Sequence, residues 1–403
     1  MSYQNPGELR PGPQGWTTVP TSAAAVRRGG QVRATARSRV VRGLVTAFAV
    51  VVFVACGLLT LLIISADTGV MGLITGFVVA LVPVLIVVPA LLWLDRFEAE
   101  PTSLLLFAFG WGAVVATFVA LLVNSYSLVL LQESGGDMST AAVLVAPWVE
   151  ETAKGAVVLL VLLVRRHEFD GVVDGIVYAG LAGVGFAFTE NVLYLGRALE
   201  EGGTAGLAVT FVLRGVFGPF AHPLFTMAIG IGLGVAARTR RRWLRVLAPL
   251  VGWLCAVALH GLWNLSAVAG LRGFVALYIA VQVPIFVAAV TFALWARRRE
   301  SRLISKHLQV YERSGWFTPA EVVMLTSTPA RRAARGWAGS VAGSRGRRAM
   351  RAFQGAATEL AFLRDRMARG TAAASARDVE RELLRQVAAD RYGFVTRRSR
   401  SRA

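Results

Sequence analysis

TAAVLVAPWVEETAKGAVVLLVLLV, residues 140–164, is almost wholly apolar apart from Glu150, Glu151 and Lys154. An uninterrupted apolar stretch of about 20 residues is the length of a membrane-crossing helix. Each ionised group at membrane depth costs roughly 2.5 to 3.5 kcal/mol on insertion scales. Three within little more than one turn therefore mark a functional site rather than packing.

Outward from this segment the same apolar pattern repeats. Windows at 44–64, 70–94, 103–132, 171–195, 206–237, 246–268 and 273–296 join 140–164 to give about eight spans. A composition that is 55% hydrophobic excludes an ordinary soluble protein. The expected fold class is all-α: a polytopic transmembrane helix bundle with a small basic helical cytoplasmic tail. Gly215, Gly218 and Pro219 could divide 206–237 into two short helices, but charge parity favours a single crossing. Arg27 to Arg42, Arg165-Arg166, Arg238 to Arg242 and Arg297 to Arg299 then all lie on one side, which the positive-inside rule makes cytoplasmic. Both termini are expected in the cytoplasm, and the setting is the cell membrane.

Three domains follow: a basic cytoplasmic leader at 1–43, a membrane domain at 44–297 and a basic helical tail at 298–403. The Pro-containing first 24 residues read as disordered, and the first span as an uncleaved anchor. From Arg297 onward there are 24 basic and 9 acidic residues, so most of the net charge of +19 lies in the tail. Beside an anionic membrane face such a tail is expected on lipid headgroups, with no nucleic acid as partner. Helix-like spacing occurs at 320–327, 347–369 and 375–392. Cys56 and Cys255 lie inside spans and read as small apolar filler.

Further polar positions follow in the next three apolar segments: Glu190-Asn191, His222, and His260 with Asn264. The chain has only four histidines, and two of them lie at membrane depth. Both residue types serve proton transfer and metal ligation. Glu150 and Lys154 share a helix face at i, i+4, with Glu151 turned roughly 100° away. One carboxylate can thus be paired by the ammonium while the other stays free as a general acid or base. Counting about 1.5 Å per residue from the span ends, the four segments can converge on one cavity in the outer half of the membrane. Asn264, one turn from His260, is placed to orient an imidazole or polarise a carbonyl. His222, His260 and Glu190 would hold zinc with an open position for water, although their separate helices match no local zinc spacing rule. Taken singly, Glu190 could instead pair structurally with Arg214, and Asn264 could be interhelical glue. Asp95 to Pro101 reads as a solvated turn on the opposite side.

Together, Glu150-Glu151-x-x-Lys154, Phe186-x-x-x-Glu190-Asn191, His222, His260-x-x-x-Asn264 and the upstream Asp95/Glu98/Glu100-Pro101 turn resemble the PrsW family of intramembrane proteases. The set is also similar to membrane CAAX-processing endopeptidases, whose Glu-Glu-x-x-x-Arg spacing is one residue longer. The resemblance covers about 70–300. It implies cleavage of a membrane-anchored protein, typically a single-span anti-sigma factor, near its extracytoplasmic side. Carried over, Glu150 and Glu151 match the essential acidic pair, Glu190 the acid of the second motif, and His222 and His260 the later histidines. On this reading Glu150, Glu151, Lys154, Glu190, Asn191 and Asn264 are catalytic, while His222, His260 and Glu190 are metal ligands. Such a family is usually metal-dependent, and a metal-free glutamate mechanism stays open. The alternatives from other classes are a proton-coupled transporter, for which the two halves lack the expected inverted repeat, and a non-catalytic membrane scaffold.

Overall fold

A computed structural model describes residues 36–97, 100–166, 168–169 and 171–395. The leader up to residue 35, and with it the expectation of disorder over the first 24, lies outside the described residues, as does Glu98. All regular structure among the described residues is helical. Contacts divide the described residues into one unit, Val50–Arg298, and a second made of those up to Ala49 with those from Arg299 onward.

In chain order the helices are α1 Ala36–Leu94, α2 Thr102–Gly110, α3 Thr117–Glu133, α4 Met138–Thr140, α5 Ala146–Val164, α6 Val172–Phe211, α7 Ala221–Arg238, α8 Arg242–Val268, α9 Gly270–Leu277, α10 Val283–Arg313, α11 Pro319–Leu325, α12 Thr328–Arg369 and α13 Ala376–Val395. Four π-helical turns, at Trp111–Ala116, Ala141–Val145, Val212–Phe217 and Tyr278–Gln282, join neighbouring pieces. Five stretches among the described residues are long and apolar enough to cross a membrane: Thr46–Leu94, Thr102–Glu133, Val172–Arg238, Arg242–Val268 and Gly270–Arg313. The protein is a membrane protein.

The longest of these stretches are broken. At about 1.5 Å per residue, the 49 residues of Thr46–Leu94 extend well beyond a hydrocarbon core of about 30 Å. The backbone turns at Gly69, with φ of 64°, and α6 turns likewise at Gly203, with φ of 59°. That left-handed conformation strains any residue with a Cβ. The segment read as one crossing at 206–237 is also interrupted: the helix stops at Gly218 and resumes at Ala221. Pro219, lacking a backbone N–H, cannot continue the ladder there.

α5 is not among the five, because three ionisable side chains fall within its 19 residues. All three are buried, with Lys154 and Glu151 at 0% exposure, so the helix turns them away from lipid. Pro147 lies in its first turn, where its missing N–H falls at the junction with the π-helical turn Ala141–Val145.

The first half of α6 is the centre of the membrane unit, with Val173 to Phe186 buried on every side. Asp174 caps its start, its carboxylate accepting from the Gly171 N–H at 2.8 Å. Gly183 lets α7 approach closely: a Cβ there would meet the His222 carbonyl oxygen at 2.7 Å. The absent side chain thereby fixes where the first turn of α7 sits against α6.

The turn at 95–101 departs from expectation. Asp95 and Glu100 are buried rather than solvated, and the buried Asp174 belongs to the same acid cluster. Asp95 accepts from the Glu100 N–H at 3.0 Å, and Tyr178 donates to Glu100 at 2.6 Å. Burial pushes the Asp95 carboxyl up to about 8. Composition alone marked the turn as polar, but α6 packs over it.

The second unit has its own small core, in which Phe353 packs with Phe317 and Phe394 at centroid distances of 6.0 and 5.4 Å. Thr318 and Glu321 form a reciprocal cap at the start of α11, and Arg391 of α13 pairs with Glu321 at 2.9 Å. The helical spacing read at 320–327, 347–369 and 375–392 corresponds to α11, the second part of α12 and α13; residues 328–341, given no such reading, are helical as well, before the backbone turns at Gly343, with φ of 63°.

Candidate active site

α5 delivers Glu150, Glu151 and Lys154; α6 delivers Glu190 and Asn191; the π-helical turn after it delivers Arg214. His222 stands in the first turn of α7, and His260 lies on α8. Glu150, Glu151, Lys154, Asn191, His222 and His260 are all buried.

The ammonium of Lys154 lies 2.5 Å from Glu151 Oε1 and 3.8 Å from Glu150 Oε2. Pairing therefore runs to the residue three before it, not to the one four before it that the helix period singles out. Glu151 is further held by His260 Nδ1 at 2.9 Å and by the Thr226 hydroxyl, which donates to Oε2 at 2.9 Å. Phe186 lies under the same ammonium, its centroid 4.2 Å from Nζ. Glu151 is saturated.

Glu150 is not. Asn124 of α3 donates to its Oε1 at 3.1 Å, but the buried Oε2 has no hydrogen-bond partner. The nearest imidazole nitrogen is His260 Nε2, at 3.7 Å. Since His260 Nδ1 faces the Glu151 carboxylate, which can only accept, Nδ1 carries the proton and Nε2 presents a lone pair. Two bare acceptors thus face each other, an arrangement that calls for a cation or a proton between them.

His222 takes the opposite tautomer. Lys154 can only donate, so Nδ1, at 3.1 Å from Nζ, accepts, and Nε2 donates to Glu190 Oε2 at 2.8 Å. Arg214 also donates to Glu190, and its Nε donates to Asn191 Oδ1 at 2.7 Å while the guanidinium lies over the Tyr194 ring at 4.2 Å. The two imidazoles meet edge to face with centroids 5.0 Å apart, and Phe225 stacks on His260 at 5.2 Å.

Three carboxylates, Glu150, Glu151 and Glu190, thus face two cations, Lys154 and Arg214. With neutral imidazoles one negative charge is left over, and an uncompensated buried charge is costly. Glu150, His222 and His260 present ligand atoms within 4.8 Å of one another. Two imidazoles and a carboxylate are the donor set of an open catalytic zinc site, and the orphaned Glu150 oxygen fits such a cation. His260 also has a carboxylate behind its far nitrogen, as metal-bound histidines usually do. His222, with both nitrogens engaged, becomes a ligand only by exchanging one partner. The carboxylate in this set is Glu150, where the sequence reading had Glu190; Glu190 is occupied by Arg214 and His222.

Asn264 donates its amide to the Ala142 carbonyl at 2.8 Å, tying α8 to the turn before α5. Asn191 is likewise committed to Arg214. Asn124 and Thr226 were missed from sequence. Asn124 is a lone amide in an apolar span, and Thr226 lies four residues after His222 on the same face; either signal could have found them.

The family model for the PrsW family intramembrane metalloprotease matches residues 100–289. The chain is 30% identical over 178 residues to the protease PrsW of Geobacillus kaustophilus, covering 42% of this chain and 69% of that protein. It is 28% identical over 195 residues to the protease PrsW of Clostridioides difficile, covering 47% of this chain and 77% of that protein. With the protease PrsW of Oceanobacillus iheyensis the identity is 33% over 142 residues, covering 35% and 59% respectively. No solved structure matches the chain.

Proposed function

The chain belongs to the PrsW family of intramembrane metalloproteases and is a peptidase, and from that premise we propose that it cuts a single-span, membrane-anchored protein near its extracytoplasmic side. A substrate of the anti-sigma-factor type fits this reading. About eight crossings, a cell-membrane location, both termini in the cytoplasm and a basic tail on anionic lipid belong to the same proposal.

The observation that carries the chemistry is Glu150 Oε2, buried without a hydrogen-bond partner and 3.7 Å from His260 Nε2. Glu150, His222 and His260 would hold zinc. Bound there, zinc supplies Lewis acidity, polarising a scissile carbonyl and acidifying water. Glu151, clamped by Lys154 and Thr226, fixes the tautomer of His260 and keeps its Nε2 free. Glu190, whose side chain is 16% exposed, would take a proton from the attacking water and return it to the leaving amine through the carboxylate oxygen that Arg214 and His222, both on Oε2, leave open. His222 Nε2 and Arg214 hold it in place. The Lys154 ammonium supplies positive charge for the developing oxyanion.

A metal-free reading has one observation in its favour: Lys154 already places a positive charge among Glu150, Glu151 and His222. Glu150 would then be the general base. The deciding experiment is cleavage of candidate single-span membrane proteins by the purified protein in detergent, comparing wild type with Glu150→Gln and His222→Ala, with and without a zinc chelator. Loss in both variants and on chelation supports the metal reading. Loss in the variants with chelator-resistant wild type assigns the metal-free one, and cleavage that survives both variants overturns the site.

A further inference from the structure

Below the catalytic cluster, a groove of about 720 Å³ runs between α5 and α8, floored by α7. Its α5 wall is Gly155, Leu159 and Leu163, a stripe at helical spacing, and Leu233 and Pro249 face it. At one end stand Thr152 and Trp253, joined across the groove by a hydrogen bond of 2.9 Å, with Glu151 behind them. At the other end stand two guanidinium groups, Arg166 at the end of α5 and Arg245 in the first turns of α8, both exposed. From Glu151 to Val164 the α5 wall rises about 20 Å, at 1.5 Å per residue, and Arg166 follows just past its end.

An apolar channel with cationic groups at one end matches one kind of molecule in a membrane: an amphiphile whose anionic head meets the arginines while its tail lies along the leucines. We infer that this groove is a binding site for an anionic phospholipid, phosphate on Arg166 and Arg245 and an acyl chain reaching toward Thr152. Charge decides the choice of occupant. A zwitterionic lipid would satisfy the apolar walls but gain less from two guanidiniums. A substrate helix entering here would need acidic residues at the end of its span, where basic residues are the rule.

The site also has a consequence for the cluster above it. Glu151 on α5 and His260 on α8 are 2.9 Å apart, and the groove lies between the same two helices. A lipid wedged there holds the spacing on which that contact depends. The inference does not rest on the identity of the cleaved substrate.

The test is native mass spectrometry of the full chain, delipidated in neutral detergent and titrated with phosphatidylglycerol or phosphatidylcholine, with thermal unfolding followed alongside. Wild type should retain one phosphatidylglycerol preferentially and be stabilised by it. The double variant Arg166→Gln/Arg245→Gln should bind it at least roughly tenfold more weakly, on the scale of two interfacial arginines. Leu163→Trp, which fills the groove from a lipid-facing position and leaves the charges intact, should abolish the one tight copy. Equal binding of the two lipids, or phosphatidylglycerol binding unchanged in both variants, overturns the assignment. So does displacement of the bound lipid by a synthetic single-span peptide in stoichiometric amount, which would give the groove to a substrate helix.

Discussion

Lys154 pairs with Glu151 at 2.5 Å and stands off from Glu150 at 3.8 Å, so two adjacent carboxylates on one helix have different surroundings. Glu151 has three partners, whereas Glu150 keeps one buried oxygen without a hydrogen bond, and the proposal gives the first a structural role and the second a catalytic one. Removing one member of a buried, paired network leaves the partner charges uncompensated, at about 3 to 5 kcal/mol. Glu151→Gln should therefore lower thermal stability by about that amount as well as activity. Glu150→Gln should abolish cleavage with much smaller loss of stability. Thermal unfolding in detergent, set beside cleavage rate, separates the two; equal destabilisation would refute the division of roles.

Arg214 holds Glu190 and Asn191 with two different nitrogens, a fork that an ammonium cannot reproduce. Arg214→Gln should free Glu190 to reorient and lower kcat about a hundredfold, with KM changed little. Arg214→Lys should recover only part of that. A change confined to KM would place Arg214 in substrate binding instead.

Asn264 spends its amide on the Ala142 carbonyl. Asn264→Ala should cost about 1 kcal/mol of stability, the usual net worth of such a hydrogen bond, and leave kcat within a few-fold of wild type. A drop of two orders of magnitude in kcat at unchanged stability would return Asn264 to the oxyanion role that its spacing from His260 suggested.

Asp95 gives a pH signature. Burial raises its carboxyl from 3.8 to about 8, so the folded state prefers the protonated form more than the unfolded state does. The associated stability is fully present below about 4 and is lost as pH rises through about 8. Asp95→Asn, which keeps an acceptor for the Glu100 N–H, should flatten the stability profile over that interval. Midpoints of thermal unfolding at a series of pH values measure the slope, and an unchanged slope would remove Asp95 as its source.

Much of the molecule was legible in the order of residues. Apolar runs of spanning length dictate helices, because only a backbone bonded within itself is tolerated in lipid. The cost of ionised groups at depth singled out Glu150, Glu151, Lys154, Glu190, His222 and His260 without any coordinates. Other features were set by tertiary contact. Helix period puts Glu150 and Glu151 on known faces, but their partners arrive from α3, α7 and α8, so only packing decides that Asn124 meets one and Thr226 the other. The opposite tautomers of His222 and His260 follow from a lysine behind one ring and a carboxylate behind the other, a relation between helices that no spacing encodes. The acid turn at Asp95 read as solvated because its residues are polar; its burial depends on α6 covering it. Local sequence fixes period, face and breaking points, whereas charge balance in a buried site is a sum over helices distant in the chain, and it exists only once they are packed together.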